Sequence, residues 1–399
     1  MTGAHRRDHG RRVTRILLAT QTVSEAGDFI GLAALLLLAY GSSGSVLGSA
    51  AIFAVRLVPA VLLSTVVGSW LERPERRAGL VAFALLGALA VGGVAMRPTF
   101  LLALVASAIL QGARTASFGL QASVVVDQLP PVRRGPFFAS SGVISQSATV
   151  LGYVCGAALT TEIGPRIALG LDAATFVIGA ALLAQLPRVL PAVHRRRPSP
   201  TAGIRTVFRE PVLRLVTPVV FVGIVGGLLP ETLAPRLAHG AALPVLMASM
   251  PFGGLCTSFF AGRLGVLENL RRQLGAAALW GVAFAGGAVA LAVHAGWGAL
   301  AAANAVAGAA SVWIIGARTT YSRFTPIEHM AQVETTMVAM IAALTSVGTL
   351  ALAAIATVSL PLSYALAGVP VLVLAAVLMR PVGEAATSGA AADVAAELS

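Results

Sequence analysis

The chain has 399 residues, of which 57% are hydrophobic and only 11% are charged. Soluble domains carry about 25% charged residues, so this composition excludes a soluble enzyme and indicates an integral membrane protein. The net charge is +12, and because the arginines fall between apolar segments, we interpret them as topology signals and expect no nucleic-acid partner.

Twelve apolar segments follow one another along the chain, and each is long enough to cross a bilayer, which takes about 20 residues. They are predicted at 14–40, 46–70, 78–96, 99–126, 136–160, 165–187, 212–230, 243–262, 273–293, 297–318, 331–357 and 360–379. We therefore predict an all-α membrane protein. Its predicted parts are a basic cytoplasmic tail at 1–13, a six-helix bundle at 14–187, a cytoplasmic linker at 188–211, a second six-helix bundle at 212–380 and a disordered cytoplasmic tail at 381–399.

The first segment contains two carboxylates near its middle, Glu25 and Asp28. One acid at mid-membrane costs about 2.5–3.5 kcal/mol, and two acids three residues apart lie on one face of a helix. That face must contact a partner or a water-filled cavity rather than lipid. The apolar run is too long and too acidic for a cleaved signal, so we predict an uncleaved first helix.

Two arginines, Arg56 and Arg114, lie inside the second and fourth segments. With about 1.5 Å of rise per residue, the depth of Asp28 matches that of Arg56, and the depth of Glu25 matches that of Arg114. We predict an acid–arginine network in the first bundle. Two roles stay open, a structural tie between helices and a proton-coupling site, because a carboxylate near Arg stays ionised but takes up a proton when it is separated from Arg in a dry environment.

Two further acids of the apolar segments are assigned to helix ends, Asp172 in a structural role and Glu334 at a solvated end. Asp172 lies near the outer end of the sixth segment, and Glu334 lies near the inner end of the eleventh, within reach of water. We therefore expect no mid-membrane carboxylate in the second half and assign coupling to the first half. Cys155 and Cys256 lie in distant apolar segments, which predicts neither a disulfide framework nor a metal site.

The distribution of arginine predicts the orientation in the membrane. Of the 28 arginines, 23 fall on the side of the N-terminal tail and only three, Arg97, Arg166 and Arg236, fall on the other side. Because cytoplasmic loops are enriched in Lys and Arg, we predict a multi-pass protein of the cytoplasmic (inner) membrane with both termini in the cytoplasm.

The loop after the second segment reads GSWLERPERR, from Gly68 to Arg77. It can be a plain basic loop, or a latch that closes the inner face through charge pairs of Glu72, Arg73, Arg76 and Arg77. The stretch resembles the loop signature G-x-x-x-D-R-x-x-R-R of the major facilitator superfamily, with Glu72 in place of the Asp.

Further motifs resemble the drug:proton antiporter branch of this superfamily, which includes macrolide, tetracycline and siderophore exporters. They are the SEAGD run at 24–28 and the run GLDAATFVIGAALLAQLP at 170–187. The fourth-helix motif of the superfamily as a whole, L-x-x-x-R-x-x-Q-G, is matched at Leu110 and Arg114. The fifth-helix motif of this branch, G-P-x-x-G-G, reads GYVCGA at 152–157, with Tyr153 in place of the proline. The two glycines of this run are also spaced for close helix packing.

The resemblance implies two pseudo-symmetric six-helix bundles with a substrate site at the membrane midplane. It also implies that helices 1, 4, 7 and 10 line the cavity. The candidate lining residues, with neighbours on helices 5 and 11, are Gln21, Gln146, Phe221, Asn304, Trp313 and Met337. Amides, aromatic rings and Met suit a lipophilic, partly polar cargo. For Phe221, Trp313 and Met337 a packing or lipid-facing role stays open.

These interpretations predict a secondary active transporter that exports a small amphiphilic compound, such as a drug, antibiotic or natural product, in exchange for protons. The alternatives are an uptake carrier for a small metabolite and a transport-inactive membrane scaffold. We expect no enzyme activity, because no catalytic or P-loop motif is present, and we expect no cofactor and no metal. The expected partners are the substrate, protons and the lipid bilayer, and the resemblance implies a monomer.

Overall fold

The fold is described from a computed structural model of the protein, over residues 3–57, 59, 75–187, 205, 207–260, 269–325 and 330–387. Fourteen helices occur in these ranges, which contain no β-strand. This confirms the predicted all-α membrane fold. Ten helical stretches of the described residues are long and apolar enough to cross a membrane, and Ala242–Ser258 is a shorter apolar helix.

The chain divides into two compact units, Met1–Arg197 and Pro198–Ser399. The helices of the first unit are α1 (Gly3–Ser43), α2 (Val46–Ala54), α3 (Arg76–Met96), α4 (Phe100–Gln128), α5 (Pro131–Glu162) and α6 (Pro165–Leu183). The helices of the second unit are α7 (Pro211–Gly226), α8 (Leu229–Leu237), α9 (Ala242–Ser258), α10 (Leu270–Ala292), α11 (Gly296–Ala310), α12 (Val312–Phe324), α13 (Met330–Val358) and α14 (Leu360–Thr387).

Two predicted spans of the second unit are each built from two helices. The seventh span continues past its predicted end at residue 230 through α8, and the tenth span is divided at Ser311 between α11 and α12. Gly226 and Gly227 weaken the helix at the α7–α8 junction, since glycine is less favourable than alanine by about 1 kcal/mol in a helix. Pro230 then lies in the first turn of α8, where proline is favoured.

Both terminal helices extend beyond their predicted ends. The first helix begins at Gly3, inside the predicted tail, and α14 continues to Thr387, inside the segment where disorder was expected. Alanine, arginine and glutamate in these flanks are good helix formers, and a helix satisfies its own backbone hydrogen bonds in water as well as in lipid. The domain boundaries proposed from the sequence stay predictions. The later part of the second predicted span, 46–70, lies outside the described residues.

Small residues let α1 approach α5 closely. A Cβ atom added to Gly156 would lie 2.7 Å from both Cα and the carbonyl oxygen of Ile30, and one added to Gly152 would overlap Phe29. Both glycines therefore face the backbone of α1. The small-residue face of α5 is a helix-packing face, and it holds the acidic helix against its neighbour.

The same device brings α1 close to α6. Gly27 leaves room for the side chain of Thr175, and Gly31 leaves room for the carboxylate of Asp172. Any larger side chain at these two positions would overlap α6. The glycines of α1 therefore set the distance between the two helices and place Asp172 beside the acidic face of α1.

An aromatic cluster fills the core of the second unit. Its members Trp280, Phe284, Trp313 and Tyr364 are each at most 2% exposed. The Trp280 ring lies 4.4 Å from the Phe284 ring and 6.4 Å from the Trp313 ring, and Phe284 lies 5.6 Å from Tyr364, measured between ring centroids. Such large buried side chains dominate the packing energy of a core.

We predict that Gly156→Ala destabilises the first unit, because the added methyl group would meet backbone atoms of Ile30 that cannot rotate away. Overpacking of this kind costs about 1–3 kcal/mol, which thermal unfolding in detergent would measure as a lower Tm. Gly142→Ala in the same helix is the control, because no atom apart from its chain neighbours and the adjacent backbone of its own helix lies within 4 Å of the added methyl group. Equal Tm values for the two variants would contradict the packing role of Gly156.

Candidate functional site

The acidic face of α1 lies inside the first unit. Glu25 and Asp28 are both half-buried, and both belong to the apolar span Gly10–Ser43. The spacing of three residues puts them on one side of the helix. Residues of α2, α4, α5 and α6 supply the groups that surround this side.

Asp28 forms a long ion pair with Arg114 of α4. Arg114 Nη1 lies 3.9 Å from Asp28 Oδ2, and the two side chains are 45% and 18% exposed, respectively. A charge-assisted hydrogen bond is about 2.7–2.9 Å long, so this pair is close without being hydrogen-bonded. The guanidinium group also lies 5.6 Å from the centre of the Phe29 ring, a distance typical of a cation–π contact.

Arg56 is held by a different partner. Its Nε donates a hydrogen bond of 2.9 Å to Ser107 Oγ, and Ser107 in turn donates to the carbonyl oxygen of Ile52 at 3.0 Å. Ser107 is completely buried. Depth matching had paired Arg56 with Asp28 and Arg114 with Glu25, whereas the structure places Arg114 beside Asp28. Depth fixes one coordinate only, and the rotation of each helix about its axis decides the pairs.

Glu25 is held by an amide rather than by an arginine. Gln21 Nε2 donates to Glu25 Oε1 at 3.0 Å and to the carbonyl oxygen of Ser141, in α5, at 3.1 Å. The second carboxylate oxygen of Glu25, Oε2, is buried without a hydrogen-bond partner. Gln21, predicted to line a cavity, thus joins α1 to α5 and orients one of the two acids.

A third acid, Asp172 of α6, belongs to the same site. It is 1% exposed, and neither carboxylate oxygen has a hydrogen-bond partner. Sequence reasoning noticed this residue but gave it a structural role near a helix end. Asp172 is far from Asp28 along the chain, so the sequence does not indicate that the two acids are neighbours. Their proximity follows from the close packing of Gly31 against Asp172.

These side chains form a network of three carboxylates and two guanidinium groups. Asp28 interacts electrostatically with Glu25, Arg114 and Arg56, and Asp172 interacts with Asp28 and Arg56. When all five groups are ionised, one negative charge of the set stays uncompensated. A proton or a cationic ligand can neutralise it. The described residues contain no group of three or more His, Cys, Asp and Glu side chains arranged to hold a metal ion.

The structure describes part of the predicted latch loop between Gly68 and Arg77, which we call the gating loop. Arg77 Nε lies 3.3 Å from Glu75 Oε1, and Arg77 Nη1 donates to the carbonyl oxygen of Leu186 at 3.3 Å. Arg76 is buried at the start of α3. The bond to Leu186 joins the start of α3 to the turn that follows α6. The other predicted members of the loop, Gly68, Glu72 and Arg73, lie outside the described residues.

The remaining cavity candidates differ in burial. Gln146 of α5 and Phe221 of α7 are half-buried, whereas Asn304, Trp313 and Met337 are buried, the first two at 2% exposure. Trp313 packs in the aromatic core of the second unit, and Asn304 Oδ1 accepts a long hydrogen bond of 3.5 Å from the Tyr364 hydroxyl. Their contact with a cargo stays a prediction.

The sequence analysis did not single out one buried carboxylate of the second unit. Glu231 lies in the first turn of α8, inside the apolar span Pro211–Leu237, and is 4% exposed. Glu231 is six residues from the end of this span, so the expectation that the second half holds no mid-membrane carboxylate stays a prediction. The predicted seventh segment ends at residue 230, but proline in the first turn lets a new helix begin there.

The fold is shared with solved transporters of low sequence identity. A mutant of the nucleoside transporter NupG is 14% identical, with a TM-score of 0.72, over 93% of this chain and 99% of that chain. An auto-inhibited POT family peptide transporter is 12% identical, with a TM-score of 0.70, over 92% of this chain and 96% of that chain. A bacterial homologue of the iron transporter ferroportin is 14% identical, with a TM-score of 0.68, over 92% and 98% of the two chains.

Sequence comparison identifies the family. No curated protein matches the chain. The sequence profile of the Major Facilitator Superfamily matches residues 17–272, a region that covers more than half of the chain and includes the acids and arginines of the α1 network. The chain is therefore a member of the Major Facilitator Superfamily.

Proposed function

We propose that the protein is a proton-coupled secondary active transporter that exports a small amphiphilic compound by alternating access. The observation that carries the proposal is the long Asp28–Arg114 pair, at 3.9 Å, next to Glu25, whose Oε2 has no hydrogen-bond partner. A partly buried ion pair that serves only as a structural tie gains most from short, complete hydrogen bonds, which offset its desolvation. A loose pair can instead separate and form again.

In the proposed cycle, Asp28 is ionised while Arg114 is near and takes up a proton when the two groups separate in a dry environment. The excess of one carboxylate in the network means that protonation brings the set to zero net charge. A set of side chains with zero net charge lowers the free-energy cost of rearranging these helices within the membrane. The Gln21 bridge from Glu25 to Ser141 couples any movement of α5 to the hydrogen bonding of an acid.

Export is proposed because the SEAGD run in α1 resembles drug:proton antiporters. An uptake carrier is the second candidate, and one observation favours it. Tyr153 replaces the proline of the antiporter motif and is buried against Phe29, with ring centroids 5.4 Å apart. The solved relatives are named as transporters of nucleosides and peptides and as a homologue of an iron transporter, so their cargo does not favour a drug over a metabolite.

We predict that Asp28→Asn or Glu25→Gln abolishes substrate-triggered proton release while leaving the protein folded. The neutral side chain keeps its shape but cannot exchange the proton. The measurement adds a panel of lipophilic antibiotics and dyes to purified protein in weakly buffered detergent and follows the pH. Glu162→Gln, at the exposed end of α5, is the matched control and should release protons as the unmodified protein does.

The same measurement separates the alternatives. Proton release that survives both substitutions would contradict the coupling role of this network. Binding of a compound without proton release would point to a uniporter or a non-transporting binder. The Tm of the double variant Asp28→Asn/Arg114→Gln can also be compared with the Tm of each single variant. If the single variants are destabilised, and the double variant regains the Tm of the unmodified protein and still transports, the pair is only a structural tie.

We also propose that the protein lies in the cytoplasmic membrane with both termini in the cytoplasm, as the arginine bias indicates. In a variant with Cys155 and Cys256 replaced by alanine, we expect a membrane-impermeant maleimide to label Ser42→Cys in intact cells. Ser388→Cys should be labelled only after permeabilisation. The reverse pattern would overturn the proposed orientation.

A further inference from the structure

Glu231 differs from the acids of the first unit in its surroundings. It is 4% exposed, its Oε2 has no hydrogen-bond partner, and it lies within an apolar span. An unpaired, ionised carboxylate in an apolar environment is costly, and such a group is stable there when it is neutral or compensated by a cation. The charges around it therefore decide its state.

The cationic neighbour on its own helix is engaged elsewhere. Arg236 of α8 donates from Nη1 to the carbonyl oxygen of Ala356 at 2.7 Å, and its side chain is exposed. Among the described residues no ion pair joins Glu231 to a basic group. The carboxylate is therefore not compensated by the arginine that lies five residues further along α8.

The helices packed around α8 supply no other charge near Glu231. Neither α9 nor α11 contains an Asp, Glu, Lys, Arg or His residue, and in α13 the only such residue is Glu334. Glu334 precedes Ala356 by 22 residues, which is about 33 Å along a helix. In α7, α10 and α14 the charged residues lie near one end of the helix, away from Gly226, Trp280 and Tyr364, respectively.

Tyr364 of α14 is the titratable group that interacts with Glu231. It is fully buried, its hydroxyl donates to Asn304 Oδ1 at 3.5 Å, and Asn304 Nδ2 has no partner. Behind Tyr364 stands the aromatic cluster of Phe284, Trp280 and Trp313. The site therefore combines one acid with neutral polar groups and with buried aromatic rings.

The ligand atoms available around Glu231 limit what this site can bind. A divalent metal cation needs several ligand atoms, about four for Zn²⁺ and six or more for Mg²⁺ and Ca²⁺, and the described residues contain no group of three or more His, Cys, Asp and Glu side chains that could contribute to such a shell. A proton needs only one carboxylate oxygen. The exposed Arg236 near the end of α8 is about 8 Å from Glu231 along the helix, which provides a short route to water.

We infer that Glu231 is a proton-binding site of the second unit, separate from the acid network on α1. On loading, a proton from water binds Oε2 and converts the carboxylate to the neutral acid; on release, the proton returns to water at the exposed end of α8. The turn at Gly227 and Leu228 divides α8 from α7, so the short helix can move without breaking a continuous ladder of backbone hydrogen bonds. A role in transport rests on the proposed proton coupling, but the protonation itself does not.

The test is infrared spectroscopy of the full-length protein in lipid nanodiscs over a pH series, in H₂O and D₂O, without substrate. We expect a carboxylic-acid C=O band that disappears as the pH is raised, shifts in D₂O and is lost in Glu231→Gln. Glu162→Gln should leave this band unchanged. Tyr364→Phe, which keeps the ring and removes the hydroxyl, should move the midpoint of the titration, a result that loss of folding would not produce.

Three results would overturn the inference. One is the same spectrum for Glu231→Gln and the unmodified protein. Another is a band that stays constant across the pH series, and the third is a band that responds to added NaCl at constant pH, which would identify a metal cation as the ligand. Asp28→Asn should retain the Glu231 band, so a failure of the proposed antiport would leave this measurement unaffected. If Glu231→Gln does not fold, Glu231→Asp should retain the band with a shifted frequency.

Discussion

The cost of placing charge in a membrane interior is the constraint on which this protein is built. Five ionisable side chains from α1, α4, α6 and the end of α2 meet in the first unit, and none of them could face lipid without a large penalty. Their mutual compensation is incomplete, because the acids outnumber the arginines by one. Neutralising the last charge would save free energy, and this supports the proton coupling that we propose for the site.

Close helix packing is the condition for this network. Gly152 and Gly156 bring the backbone of α1 against α5, and Gly27 and Gly31 bring it against α6. Without a strong hydrophobic driving force between helices in lipid, such small-residue contacts supply the van der Waals energy of association. The same glycines therefore stabilise the unit and determine which polar groups become neighbours.

The second unit handles its buried acid in another way. Among the described residues no arginine forms an ion pair with Glu231, which instead shares a buried environment with Tyr364 of the aromatic core, at the start of the helix that follows the α7–α8 break. A carboxylate in such surroundings is cheap when neutral and costly when ionised. The acids of the two units thus differ in their surroundings. Arginines lie near the acids of the first unit, whereas a buried, apolar environment surrounds Glu231.

The sequence by itself determined the membrane character, the all-α fold and the presence of an acid–arginine network, because apolar length and the cost of intramembrane charge depend on composition and local spacing. It also marked Gln21, Arg56 and Arg114 as residues of interest. Only the tertiary structure decided that Arg114 lies beside Asp28, that Asp172 joins the network and that Glu231 is inside a span. Those relations depend on helix rotation, on glycine contacts between distant segments and on a helix break at Gly227, which no periodicity along one segment specifies.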